Sequence, residues 1–291
     1  MSKKPKVGMW SGLTAVTAVL TAGAIVGTTV AFHYTTTVNN YLDADTYKII
    51  KGDSDEDTEY FKSDFTSDEE RESYEAELCA QVEAEGAALL KNDNNALPLA
   101  SGAKVSLFGH GSVDLMYGGT GSGSVDTSKA PNFKQALEDQ GIQVNSTLWD
   151  LYSSDDMMKN YSRITPAAIS DTLEANTQYA VNEAPWSKLS SAESSFADYG
   201  DAAIVVFSRS GGEGADLPSG ENGTNDSWIK GQEGDGNYLA LSAEEKELLQ
   251  NLKTLKDNGT FKKIIVLINS SNAIEMDFLN PEICGEDYGI D

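Results

Sequence analysis

The chain has 291 residues, with 46 acidic side chains against 21 basic ones and a formal net charge of −25. This balance excludes a nucleic-acid-binding protein, because neutralising phosphates requires a basic surface. Only two His and two Cys are present, which argues against His-built zinc sites, a Ser-His-Asp triad and a disulfide framework. We therefore predict no metal and no cofactor.

The charge changes abruptly along the chain. Three lysines lie in the first six residues, and no further charged side chain occurs before Asp43. Residues 7–32 are apolar apart from Ser and Thr, whose hydroxyls can bond back to the helix backbone, and about 20 such residues span a bilayer as a helix. We predict a transmembrane signal-anchor within residues 1–34. The lysines predict a cytoplasmic N-terminus and a single-pass protein of the cell membrane with its C-terminal domain outside the cell.

Two other interpretations of this segment stand beside the anchor. A cleaved signal peptide usually has an apolar core of about 7–15 residues, which is shorter than residues 7–32, and no clean small-x-small cleavage site follows. A core helix of a soluble domain is disfavoured because no face of the segment carries charge. All 46 acids and 18 of the 21 bases lie at or after residue 43, so this part of the chain carries −28.

An acidic stalk is predicted over residues 35–66. Its segment KGDSDEDTEY has few apolar side chains, so a solvated spacer is favoured over an interaction motif. The folded domain is predicted to cover residues 67–291. It should open with a helix, because Ser67 and Glu70 have the spacing of a capping box and apolar residues recur at helical spacing to about Leu90.

Short apolar segments then alternate with helical patterns. Strands are predicted at KVSLFG (104–109), IQVN (142–145), AAIVVFS (202–208) and KIIVLIN (263–269). Helices are predicted at residues 131–139, ended by a left-handed Gly141, and after a second capping box of Ser242 and Glu245. The fold class is therefore α/β, a mostly parallel sheet flanked by helices and preceded by one transmembrane helix.

Three loops should leave the carboxyl ends of these strands, where such sheets bind ligands. The glycine-rich residues 109–124 match neither a dinucleotide fingerprint nor a P-loop, so a sugar-facing or structural loop is favoured over a phosphate cradle. The next loop holds Glu213 among glycines, where partial desolvation would raise its pKa toward general-acid use; an exposed turn with an incidental acid is the alternative. In the third, NSSNAIE, Asn and Ser more often cap the next helix.

Several segments together resemble a known family. EGAALLKNDNNALPL, KVSLFG with GGTGSGSV, VVFSRSGGEGAD, LSAEEKELL and VLINSSNAIEMDFL occur in an order and spacing similar to the α/β-sandwich domain of glycoside hydrolase family 3, conventionally its C-terminal domain. The resemblance covers about residues 69–291. Members are mostly β-glucosidases and related exo-acting, retaining β-glycosidases that place a TIM-like barrel beside the sandwich.

The resemblance implies roles for particular residues. The family's acid/base loop resembles R-x-S-G-E-G-x-D-R, so Glu213 is the implied catalytic acid/base, with Arg209 and Asp216 beside the substrate. Gly211 replaces the usual Ser and Leu217 the usual Arg, which changes the neighbouring polar contacts.

One aromatic side chain is a further candidate for substrate contact. Trp228 lies in the polar insertion ENGTNDSWIKGQEGDGN that follows the Glu213 loop and is a candidate for stacking on a sugar. The Asp, Asn and Gly residues of this insertion do not have the spacing of an EF-hand loop, so no metal is predicted there.

The implied function is that of a membrane-anchored retaining β-glycosidase that hydrolyses terminal O-glycosidic bonds of oligosaccharides or glycosides. The barrel that would supply the Asp nucleophile needs about 250 residues, for which the chain has no room, so the barrel is expected beyond residue 291, as in permuted members. The sandwich domain is then expected to be incomplete at its C-terminus, and these 291 residues alone inactive. The alternative is a non-catalytic membrane-tethered carbohydrate-binding or scaffold protein.

Overall fold

A computed structural model describes residues 7–42, 61–119, 122, 126–165, 179–213, 217 and 237–291. Its helices are α1 (Val7–His33), α2 (Thr35–Tyr41), α3 (Asp68–Gly86), α4 (Phe133–Asp139), α5 (Ser146–Tyr152), α6 (Asp155–Asn160), α7 (Ala243–Asp257) and α8 (Pro281–Cys284). Its strands are β1 (Lys104–Phe108), β2 (Gln143–Val144), β3 (Ala202–Arg209) and β4 (Ile264–Ser270). The described residues form two compact units that divide between Glu85 and Gly86.

The first unit contains the apolar helix α1. Trp10–His33 form a stretch of 24 residues with a mean hydropathy of 1.8, the one helix in the described part of the chain that is long and apolar enough to cross a membrane. Its threonines bond back to the carbonyl one turn earlier, as for Thr14 to Trp10 (2.9 Å) and Thr28 to Ala24 (2.8 Å). These bonds satisfy the hydroxyls within the helix, which reduces the cost of an apolar environment.

Helix α3 follows the region predicted as a stalk, within which residues 35–41 form α2. The Ser67 hydroxyl accepts from the Glu70 N–H (3.2 Å), as predicted, but the Glu70 carboxylate accepts from the N–H of Thr66 (2.8 Å) and not from Ser67. The helix ends at Gly86, earlier than the predicted Leu90. None of its residues is buried, so the apolar spacing does not pack it against a core.

The second unit is built on a fully parallel sheet, with strand order β2-β1-β3-β4. Every residue of β3 is buried, as a central strand covered on both faces should be. Alternate β3 side chains enter different cores because successive side chains point to opposite faces of a sheet. Val205 and Phe207 pack with α5 and α7, whereas Ile204 packs with α4. The predicted α/β fold with flanking helices is confirmed.

Local signals behave as predicted in this unit. Asn132 caps α4 by accepting from the Gln135 N–H (2.8 Å), so the helix begins at Phe133, two residues after the predicted start. Gly141 adopts the predicted left-handed conformation (φ +78°) after the helix. Ser242 and Glu245 form the full capping box of α7. Both cysteines are free, and Cys79 is exposed.

Candidate functional site

The carboxyl ends of β1, β3 and β4 bring the three loops together. The side-chain amide of Asn269, near the end of β4, accepts from the Met116 N–H (2.6 Å) and donates to the Met116 carbonyl (3.0 Å), which attaches the glycine-rich loop to the sheet. Asn272 donates to the Ser210 carbonyl (2.9 Å) in the Glu213 loop. These asparagines connect loops, so the expectation that the third loop caps a helix is wrong for them.

Glu213 and the glycine-rich loop meet through Ser122. One carboxylate oxygen of Glu213 accepts from the Ser122 N–H (3.0 Å) and from the Ser122 hydroxyl (2.9 Å). The backbones also approach closely, since a Cβ on Gly119 would lie 3.1 Å from the Gly211 carbonyl oxygen. The candidate acid/base Glu213 therefore lies where two strand-end loops converge.

The electrostatics of Glu213 differ from the expectation. Its side chain is exposed, and hydrogen bonds from the Ser122 backbone and hydroxyl lower its pKa below the ordinary value. Such bonds stabilise the charged form, while exposure leaves little desolvation to oppose them. The expectation that partial desolvation raises the pKa of Glu213 is therefore wrong, and the alternative of an exposed turn describes its side chain.

Arg209 is fully buried beneath this loop. Its guanidinium donates two bonds to the Glu245 carboxylate (2.8 and 2.6 Å) and further bonds to the carbonyls of Tyr238 (2.6 Å) and Ala240 (2.6 Å). Burial works to lower the pKa of Arg209, but the charge and hydrogen bonds of Glu245 outweigh it, so the pKa is raised. The guanidinium thus ties the end of β3 to the start of α7.

The two departures from the family motif have structural explanations. A Cβ at Gly211 would overlap the Asn272 side-chain amide, so the place of a larger residue is taken by that asparagine. Leu217 packs beside an apolar cluster that contains Tyr179 and Tyr238. The motif's two polar side chains are thus replaced by the Asn272 amide beside Gly211 and by the apolar side chain of Leu217.

A second carboxyl group lies behind the glycine-rich loop. Glu183 is buried and accepts from the N–H groups of His110 (2.7 Å) and Ala184 (3.0 Å). Burial raises the pKa of Glu183 to about 7, although the His110 bond and charge work against it. Its side chain lies close to the position that a Cβ on Gly109 would occupy (3.6 Å).

The predicted site residues have different outcomes. Arg209, which was expected beside the substrate, is instead fully buried, and its guanidinium is bonded to Glu245 and to backbone carbonyls. Glu213 lies on the loop after β3 as expected, whereas Asp216 and Trp228 lie outside the described residues. Ser122, Asn269 and Asn272 were not singled out from the sequence, where only the glycine-rich and Asn-rich character of their loops was visible. Within the described ranges, no group of three or more His, Cys, Asp or Glu side chains is arranged to hold a metal ion.

Comparison with known proteins gives the family. Residues 87–285 match the model of the glycosyl hydrolase family 3 C-terminal domain. The chain belongs to glycosyl hydrolase family 3. The match covers the whole parallel sheet and the loops of the candidate site, so the family assignment rests on the domain that carries Glu213.

Similar proteins in this family are β-glucosidases. β-Glucosidase A of Butyrivibrio fibrisolvens is 31% identical over 216 residues, which are 68% of this chain and 23% of that protein. A β-glucosidase of Ruminococcus albus is 30% identical over 70% of this chain and 18% of its own length. The structure of a Paenibacillus barengoltzii β-glucosidase matches 72% of this chain and 20% of its own, with a TM-score of 0.52 and 26% identity. The chain thus spans about a fifth of the length of these relatives.

Proposed function

We propose that this chain is the acid/base-bearing part of a membrane-anchored, retaining β-glycosidase of the β-glucosidase type. Its substrates are oligosaccharides or glycosides with terminal O-glycosidic bonds. The observation that supports this function is the placement of Glu213 on the loop after β3 in a family 3 domain, with Ser122 of the glycine-rich loop donating to its carboxylate.

The proposed chemistry requires two carboxyl groups about 5–5.5 Å apart. Glu213 protonates the leaving oxygen and then activates water, while an Asp of a barrel domain attacks the anomeric carbon. The hydrogen bonds from the backbone and hydroxyl of Ser122 lower the pKa of Glu213 here, and the exposure of its side chain leaves little desolvation to oppose them. Packing of a barrel and substrate over the loop would remove water from Glu213 and raise its pKa, and the protonation step needs this raised pKa. In the second step, the Ser122 bonds would favour the charged form that acts as base.

The remaining motif residues receive supporting roles in this proposal. Arg209 holds the end of β3 and thereby the base of the Glu213 loop, because its guanidinium is bonded to Glu245 and to two carbonyls. Asp216 and Trp228 remain proposed substrate contacts. The barrel is proposed to lie beyond residue 291.

Membrane anchoring is the second part of the proposal. Helix α1 is long and apolar enough to cross a bilayer, and three lysines precede it, which favours a cytoplasmic N-terminus. A cleaved signal sequence can be equally long and apolar. N-terminal sequencing of the membrane-bound protein separates the two, since an anchor retains residues 7–32 and a cleaved signal peptide does not.

Activity measurements test the catalytic role. We expect no turnover of an aryl β-glucoside by the 291-residue chain alone, and turnover once a family 3 barrel is present in the same polypeptide. In that polypeptide, Glu213→Gln should reduce the rate most for substrates with poor leaving groups, and azide should restore part of the rate with activated substrates. Glu193→Gln, which changes another exposed carboxylate, should have no effect. Equal rates for both variants, or turnover by the chain alone, would refute the assignment.

A non-catalytic carbohydrate-binding role is the second candidate function. The exposed side chain and lowered pKa of Glu213 favour it, because a general acid at neutral pH needs a raised pKa. A barrel-containing polypeptide that binds β-glucosides without hydrolysing them would support this role over catalysis.

A further inference from the structure

The segment that follows β4 lies directly beside the loop that carries Glu213. Arg209 pairs with Ser270 in the parallel register of β3 and β4, so residues 271–272 continue next to residues 210–211. Three successive carbonyls of the Glu213 loop accept hydrogen bonds from this segment. The contacts are the Ser271 N–H to the Arg209 carbonyl (3.1 Å), the Asn272 side-chain amide to the Ser210 carbonyl (2.9 Å) and the Ser271 hydroxyl to the Gly211 carbonyl (3.2 Å).

The contact between Asn272 and Ser210 is held from both sides. The Asn272 N–H donates to the Ser270 hydroxyl oxygen (3.1 Å), and the Asn272 carbonyl accepts from the same hydroxyl (2.8 Å). The Ser210 carbonyl also accepts from the Tyr238 hydroxyl (2.9 Å), and both Ser210 and Tyr238 are buried. Supporting bonds of this kind lock a side chain in one rotamer, so the Asn272 amide is a fixed donor to the loop.

The Asn272 amide also occupies space that the loop would otherwise use. A Cβ on Gly211 would overlap the Asn272 amide, and a Cβ on Gly119 of the glycine-rich loop would lie 3.1 Å from the Gly211 carbonyl oxygen. Glycine at residue 211 therefore allows the loop to lie against Asn272 while its carbonyl lies close to Gly119.

The place of this backbone determines what Glu213 contacts. Glu213 is two residues after Gly211, and its carboxylate accepts from the Ser122 N–H (3.0 Å) and hydroxyl (2.9 Å). Hydrogen bonds weaken steeply with distance and angle, so a displaced loop would lose both. We propose that Asn272 is a positioning residue for Glu213, because its amide holds the Ser210 carbonyl and fills the space beside Gly211.

Asn272 acts through the backbone of the loop. The consequence for catalysis rests on the proposed function, in which Glu213 is the acid/base, whereas the placement of Glu213 can be measured without any turnover. The test therefore has one part that uses the 291-residue chain and one part that uses activity.

The first part is a carboxyl-carbon NMR titration of Glu213 in the full, detergent-solubilised chain. Asn272→Ala should raise the pKa of Glu213 toward its ordinary value, because the Ser122 bonds that lower it are lost. Gly211→Ser should act in the same direction, since its side chain displaces the amide, and it tests the proposal even if Asn272→Ala folds poorly. In the double variant the alanine makes room for the serine, so the pKa should lie closer to that of the unmodified chain than in either single variant.

The matched control is Asn251→Ala. This change also removes a bond from a half-buried asparagine amide to a backbone carbonyl, that of Glu247 (2.8 Å), but within α7. It should leave the pKa of Glu213 unchanged. A lower urea midpoint for Asn272→Ala with an unchanged pKa of Glu213 would show a merely structural role and overturn the inference. Additive effects of Asn272→Ala and Gly211→Ser would overturn it as well.

The second part uses the polypeptide that contains a family 3 barrel. Asn272→Ala should lower kcat about tenfold or more for substrates with poor leaving groups, with little change in KM, because a misplaced acid impairs proton transfer more than binding. Unchanged kcat in an active polypeptide would overturn the inference. If the unmodified polypeptide hydrolyses nothing, the proposed function fails, whereas a raised pKa of Glu213 in Asn272→Ala would still support the placement by Asn272.

Discussion

The buried pair of Arg209 and Glu245 allows a sharp test of what holds the Glu213 loop to the fold. We consider Glu245→Ala, which leaves the guanidinium fully buried without its carboxylate. Removing one partner of a buried ion pair costs about 3–5 kcal/mol. Two guanidinium bonds are lost (2.8 and 2.6 Å). Each hydrogen bond to a charged group contributes about 1.5–3 kcal/mol, so the two together contribute about 3–6 kcal/mol, which overlaps that range.

The assay is urea unfolding of the detergent-solubilised chain, followed by the fluorescence of the partly buried Trp149 and Trp186. The matched control is Lys262→Met, which removes an equally short ion pair with Asp201 (2.6 Å) from the surface, where Lys262 is 73% exposed. Exposed ion pairs contribute about 0.2–1 kcal/mol, so Glu245→Ala should lower the free energy of unfolding severalfold more than Lys262→Met. The double variant Arg209→Met/Glu245→Leu should lose less than Glu245→Ala, because no unpaired charge remains buried. A loss below about 1 kcal/mol for Glu245→Ala would refute the reasoning.

Two further predictions concern the carboxyl groups near the loops. Burial raises the pKa of Glu183 to about 7 from an ordinary 4.5, so the folded state keeps a proton that the unfolded state releases. The contribution of Glu183 to the free energy of unfolding is therefore complete below about pH 4.5 and is lost as the pH rises through 7. Glu183→Gln should flatten that decline in urea unfolding measured from pH 5 to 8, and an unchanged slope would contradict the assignment. Ser122→Ala should raise the pKa of Glu213 part of the way to its ordinary value, because the backbone N–H bond remains. A carboxyl-carbon NMR titration measures this, with exposed Ser153→Ala as a control that should cause no change.

Much of the fold follows from short-range patterns. Apolar runs predicted β1, β3 and β4 to within about one residue at each end, and Ser242 with Glu245 predicted the start of α7. These signals are local, because caps and strand alternation depend on residues a few positions apart. The predicted C-terminal end of helix α3 was wrong, and none of its apolar side chains is buried. Helical spacing identifies an apolar face but does not specify what that face packs against.

The candidate site, like the fold, was only partly predictable from the sequence. The motif around Glu213 was recognisable in the sequence, but the direction of its pKa shift was not, because that shift depends on Ser122, 91 residues earlier in the chain. Likewise, nothing in the sequence pairs Ser210 with Asn272 across 62 residues.

The sequence by itself therefore determined the charge asymmetry, the apolar N-terminal helix, the order of strands and helices, and membership of the family. Only the tertiary structure decided which loops touch and which carboxyl groups are buried. The physical reason is that hydrophobic periodicity and capping are properties of neighbouring residues, whereas hydrogen bonds between loops depend on how parallel strands align in the sheet.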